Sequence, residues 1–188
     1  MNLVRLLTAA LVALTSIQSF CLVANGREPE MELFDTAFAT WNQYVPFCHR
    51  LVFFDTGQCK PGVRDTIELG PVNGTAGFTR TTTSTRGVVT RDIFLDTDQL
   101  PTAALFYNVL LHELGHALGL GHPVQRTAPT AMGYTLRFDG RSFVSDKYIA
   151  IGLDDVIALR RAYQLPPGWL FESRVPSLPP GSAACGQV

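Results

Sequence analysis

Histidine is scarce in this chain of 188 residues: there are four, and three of them fall between His112 and His122. Charge of either sign is nearly balanced. Fifteen Lys and Arg against sixteen Asp and Glu leave a net charge of −1 and a pI near 6.4, so nothing in the charge suggests nucleic acid or a basic membrane-binding surface. The longest apolar stretch, Leu6 to Ile17, falls short of the roughly 20 residues that a membrane span needs. Cysteine is sparse too, at positions 21, 48, 59 and 185. The length suits one domain with a substantial core, and no second domain is required.

What is present is concentrated in one segment. Residues His112 to His122 read H-E-L-G-H-A-L-G-L-G-H. At about 3.6 residues per helical turn, His112 and His116 project from the same face, with Glu113 beside them. Gly119 can take left-handed backbone angles and end the helix sharply, which swings His122 round as a third nitrogen ligand. Three imidazoles and one open position describe a catalytic zinc site; a structural one would close with four protein ligands. Chance can place two histidines and a glutamate on an amphipathic helix. Fixed offsets for Gly119 and His122 as well make coincidence much rarer.

The pattern H-E-x-x-H-x-x-G-x-x-H, followed by Ala131-Met132-Gly133-Tyr134, resembles the metzincin metallopeptidases and their methionine turn. The resemblance runs from about Glu32 to Tyr163. It implies an α/β (α+β) zincin catalytic domain: a twisted, mostly parallel sheet with an antiparallel edge strand, a zinc-binding helix and a C-terminal helix. It implies that His112, His116 and His122 hold one Zn2+, that Glu113 is the general base, and that Met132 lies as a floor beneath the imidazoles. The short gap from His122 to Met132 and the run Leu153-Asp154-Asp155-Val156-Ile157 are similar to matrixins. Pro123 and Tyr134 look more like serralysins, where a tyrosine at that place can be an auxiliary zinc ligand or stabilise a transition state. The strand before the zinc helix, Val88, Val89, Thr90, Arg91, Asp92, Ile93, Phe94 and Leu95, is implied to be the edge that pairs with an extended substrate. Gly133 to Phe138 would line the specificity pocket.

Several features of those subfamilies are missing. No P-R-C-G cysteine switch precedes Glu32, and the residues before it are too few for a pro-domain. Calcium-binding nonapeptide repeats are absent. A second, structural zinc would need histidines beyond His49, which by itself reads as a surface or satisfied polar residue. Asp96 and Asp98 could offer oxygens to Ca2+, but two carboxylates are a thin ligand set, and a solvated turn fits them better.

Arg5 followed by Leu6 to Ile17 reads as a signal peptide over residues 1–24, cleaved after Cys21 or Ala24, and so predicts a secreted, extracellular protein. An uncleaved anchor is disfavoured by the shortness of the run. The catalytic domain is then expected over residues 25–165, with a loose, proline-rich tail over 166–188. Cys48, Cys59 and Cys185 remain, and Cys21 only if cleavage falls before it, so the disulfide pairing is open. A continuous strand between Cys48 and Cys59 would hold them too far apart to bond. Asn73-Gly74-Thr75 is a glycosylation sequon.

Helical spacing of Phe34, Ala37, Phe38 and Trp41 predicts a helix over Glu32 to Tyr44. Strands are expected at Arg50–Thr56, Thr66–Leu69, Thr75–Thr81 and Val88–Asp96. Thr102 is placed to cap a zinc helix ending near Leu118. A last helix spans Leu153 to Tyr163, acidic at its start and basic at its end. The expected activity is that of a zinc endopeptidase, acting as a monomer on protein or peptide substrates. The competing reading is a zinc-bound secreted binding or inhibitory module without turnover, which the presence of Glu113 disfavours.

Overall fold

A computed structural model describes residues 17–24, 30–46, 49–72, 74–123, 130–133 and 147–163. One five-stranded sheet organises them. Its strands are β1 (Gln18–Ala24), β2 (Leu51–Phe54), β3 (Asp65–Leu69), β4 (Gly77–Thr83) and β5 (Val89–Leu95), in the spatial order β2-β1-β3-β5-β4. The first four in that order run parallel, and β4 lies antiparallel to β5 at the rim. Helices α1 (Met31–Asn42), α2 (Ala103–Ala117) and α3 (Leu153–Ala162) complete the fold. This is the mixed α/β architecture that the motif implied.

Alternation along the strands decides which side is dry. Phe20 and Leu22 of β1, Ile67 and Leu69 of β3, and Ile93 and Leu95 of β5 are all buried, as period-2 geometry requires of one sheet face. Against that face, α1 sets Phe34, Ala37, Phe38 and Trp41. Phe34 stacks on Phe53 of β2 at 4.8 Å and meets Phe106 of α2 edge-on at 5.4 Å. Helix α2 is buried on nearly every side, from Ala104 through Ala117 with His116 alone half-exposed. A helix so enclosed needs its backbone ends satisfied. Thr102 caps it by accepting from Leu105 N at 3.2 Å. Trp41 Nε1 donates to Leu111 O at 2.8 Å, which fixes α1 across the middle of α2.

Three expectations change. Gln18–Ala24, which falls within the expected leader, is strand β1, paired with β2 on one side and β3 on the other. Cleavage after Cys21 or Ala24 would remove this interior strand. Second, Val89–Leu95 is not an edge, because β5 has β3 on one side and β4 on the other. The edge is β4. Third, the disulfide joins Cys21 to Cys59, with Cα atoms 5.6 Å apart, inside the span that a bridge requires. Cys48 and Cys185 lie outside the described residues, as do residues 1–16 and the expected tail. Among the described residues, no helix is long and apolar enough to cross a membrane.

Candidate metal centre

Helix α2 carries the site, and its C-terminal cap builds it. Gly119 takes φ +86°, Gly119 N donates to His116 O at 2.9 Å, and Leu120 N donates to Gly115 O at 3.0 Å. Those two bonds define a Schellman cap, which turns the chain back on itself. The reversal has two effects. It returns His122 toward the helix, and it places Leu120 O where His116 Nδ1 can donate to it at 2.8 Å. His112 Nδ1 donates to Ala131 O at 2.7 Å. A carbonyl can only accept, so both rings donate from Nδ1, and in a neutral ring Nε2 is then the nitrogen that can accept or coordinate.

The Nε2 atoms converge. His112 and His122 approach to 2.9 Å, His116 and His112 to 3.1 Å, and His116 and His122 to 3.1 Å. Two unprotonated ring nitrogens at such a distance repel unless something positive lies between them. Zn–N bonds of about 2.0–2.1 Å in tetrahedral geometry set ligand nitrogens roughly 3.3–3.4 Å apart. The triangle fits such an ion with a few tenths of an ångström of opening. Orientation of each ligand by a carbonyl on its other nitrogen is the usual outer support of a zinc-bound histidine. Among the described residues, this trio is the one cluster of metal-capable side chains close enough to share an ion.

Glu113 lies next to the trio at 4% exposure. Burial pushes its carboxyl up to about 7, against the opposing hydrogen bond from Thr79. The Thr79 hydroxyl lies 2.8 Å from Glu113 Oε2 and 2.9 Å from Glu113 O. Nothing in the sequence pairs these two residues, which are 34 positions apart; the contact arises because β4 packs on α2.

Met132 is buried at 2% exposure. A methyl added at Gly115 would meet its sulfur at 2.2 Å and Trp41 at 2.9 Å. The glycine inside H-E-L-G-H is therefore where the helix admits the methionine, and Met132 packs directly behind the ligand helix. Asp155 of α3, buried at 2% exposure, holds that turn from the other side. Its Oδ1 accepts from Met132 N at 3.1 Å and Thr130 Oγ1 at 3.3 Å, while Oδ2 accepts from Gly152 N at 2.9 Å. The acidic start of α3, expected only to complement the helix dipole, also ties the methionine turn to the helix. Asn108 of α2 grips the incoming chain, donating to Lys147 O at 2.9 Å and accepting from Ile149 N at 2.8 Å.

Other candidates fall away from the site or out of view. Asp96 is buried at 4% exposure rather than solvated. Its oxygens accept from Val72 N at 2.9 Å, Gln99 Nε2 at 2.6 Å and Asp98 N at 3.1 Å. Burial alone would raise its carboxyl, but these donors hold it below the ordinary value. A carboxylate already saturated by the protein is a loop staple, and calcium has no support. His49 is buried against the Tyr163 ring, 4.7 Å between centroids. Tyr134, Asn73 and residues 134–138 of the expected pocket lie outside the described residues.

In fold, the chain is similar to the archaemetzincin of Methanopyrus kandleri, seen in a crystal structure, with a TM-score of 0.50 and 18% sequence identity over 79% of this chain and 96% of that one. At that identity the likeness establishes architecture. No family model and no curated protein matches the sequence.

Proposed function

We propose that this chain is a zinc-dependent endopeptidase of metzincin type, closer to matrixins in the spacing of its methionine turn and in its last helix. One observation carries the reading: the Nε2 atoms of three histidines within 3.1 Å of one another, beside a buried carboxyl group that is not among them. Zinc bound there supplies Lewis acidity toward a carbonyl oxygen and lowers the pKa of a water. Glu113 takes the proton of the attacking water and passes it to the leaving amine. Its raised affinity for protons suits a group that must both accept and donate near neutrality. An extended peptide docks along β4, whose outward main-chain groups pair with no described strand, rather than along Val88–Leu95.

Export is part of the proposal. The apolar run Leu6 to Ile17 suits a leader, and a Cys21–Cys59 bridge suits an oxidising compartment. Glu113→Ala should abolish cleavage of an unstructured protein, a loss on the order of 10²–10⁴ for a missing general base, while metal analysis still finds one zinc per chain. Wild-type cleavage by that variant would refute the mechanism. Absence of stoichiometric zinc from the purified protein would refute the metal assignment.

A further inference from the structure

The antiparallel pairing of β4 with β5 settles which of its main-chain groups face away from β5. Asp96 N donates to Ala76 O at 2.9 Å, and Ser84 N donates to Val88 O at 2.8 Å. Those bonds mark the two ends of the ladder, whose register runs from Gly77↔Leu95 to Thr83↔Val89. Bonded pairs alternate with non-bonded pairs in an antiparallel ladder. The bonded β4 residues are therefore Phe78, Arg80 and Thr82, in step with Ala76 and Ser84. Gly77, Thr79, Thr81 and Thr83 direct N–H and C=O to the rim, where no described strand pairs and Gly77 O accepts from Thr75 Oγ1 at 2.9 Å.

Side chains alternate in the same strand. Phe78 stacks on Phe94 at 4.5 Å, and the Arg80 guanidinium lies 5.0 Å over the Phe94 ring, both on the face away from α2. Thr79 points the other way, into α2, with its hydroxyl on Glu113. One residue thus offers its backbone to the rim and its side chain to the carboxylate.

We propose that Thr79 is a positioning residue coupling peptide docking along β4 to the placement of the Glu113 carboxylate. The inference rests on the endopeptidase reading and deepens it. A peptide hydrogen-bonded to Thr79 N–H and C=O fixes the strand at the point from which the hydroxyl holds Glu113 Oε2. Orientation of the base then depends on correct seating of the substrate backbone. Removal of the hydroxyl leaves the rim intact but frees the carboxylate to rotate.

Thr79→Val keeps the shape and β-branching and removes the hydroxyl; Thr79→Ser restores it. With an unstructured protein substrate, Thr79→Val should lower kcat about tenfold or more, as misplacement of a general base does. KM should stay within about twofold, because main-chain pairing is untouched. Zinc content should stay at the wild-type value, and Thr79→Ser should recover most of the rate. A readout without turnover is available in the zinc-free protein at alkaline pH. The carboxylate infrared band that vanishes in Glu113→Gln should shift in Thr79→Val and return in Thr79→Ser. Wild-type kcat in Thr79→Val with an inactive Glu113→Gln overturns the coupling and leaves the endopeptidase reading standing. An active Glu113→Gln overturns both. An unmoved infrared band removes the hydrogen bond on which the inference stands.

Discussion

The sheet has two rims, and they are treated differently. At one rim β2 has only four residues, Leu51–Phe54. Its outward groups at Leu51 are both taken: Leu51 N donates to Asn42 Oδ1 at 2.8 Å, and Asn42 Nδ2 donates to Leu51 O at 2.9 Å. The Asn42 amide therefore stands in for a neighbouring strand. Just beyond β2, the chain is fastened to β1 through Cys59 and Cys21. At the other rim β4 has seven residues and no strand outside it among those described. Exposed edges invite unwanted pairing, and proteins shorten, cap or cover them. The first rim is capped at Leu51, and the second lies beside the imidazoles and Glu113 with no described strand outside it. Under the proposed function, this second edge is where an extended chain should lie.

The largest expected effect tests the closed rim. The Cys21–Cys59 bridge spans 38 positions, and a loop of that length stabilises by about 4 kcal/mol in the chain-entropy view. Reduction, or Cys59→Ser, should lower the denaturation midpoint accordingly, as read by circular dichroism against urea. Substrate KM measured well below the new midpoint should not move, because β4 lies at the far side of the sheet. A KM change as large as the stability change would mean that the two rims are not independent.

How far the two rims could be read from residues alone follows from how local their signals are. The ligand trio was legible because helical pitch and a left-handed glycine act within eleven residues, His112 to His122. Helix α1 was legible from Phe34, Ala37, Phe38 and Trp41, and strands β2 to β5 from short runs between turn residues. Strand β1 was not. The apolar run Leu6 to Ile17 ahead of it extends the leader pattern across the alternation of Phe20 and Leu22 with Ser19 and Cys21. Losing β1 also hid the Cys21–Cys59 pair. The choice of β5 over β4 as the rim followed chain order, whereas the observed order places β5 between β3 and β4. Contacts such as Thr79 with Glu113, or Asp155 with Met132, join residues far apart in sequence and have no local signature.

A smaller effect tests the amide that closes the first rim. Asn42→Ala removes both bonds to Leu51 and leaves its N–H and C=O to water or to nothing. The expected cost is about 1–3 kcal/mol, again with unchanged KM. The variant should also self-associate more readily than wild type at high concentration, because a paired edge has been uncovered. Sedimentation would show it. A monomeric Asn42→Ala of wild-type stability would mean that the amide contact does not protect the edge.

The smallest effect sharpens the open rim. Thr81 pairs with Arg91 in register, but its N–H belongs to the outward set. Proline there deletes one outward donor and no bond of the β4–β5 ladder, and proline is tolerated on edge strands for that reason. Arg80→Pro, one residue earlier, deletes a donor within the ladder and serves as the contrast. For Thr81→Pro, the loss of a main-chain hydrogen bond to the substrate, worth about 1 kcal/mol, should raise KM roughly fivefold to tenfold with little change in kcat. Arg80→Pro should instead lower stability, since it breaks the pairing that holds β4 in place. The two variants differ by one position and by which way an N–H points. If Thr81→Pro left KM alone, the peptide would have to lie elsewhere than along β4, and the bare rim would need another explanation.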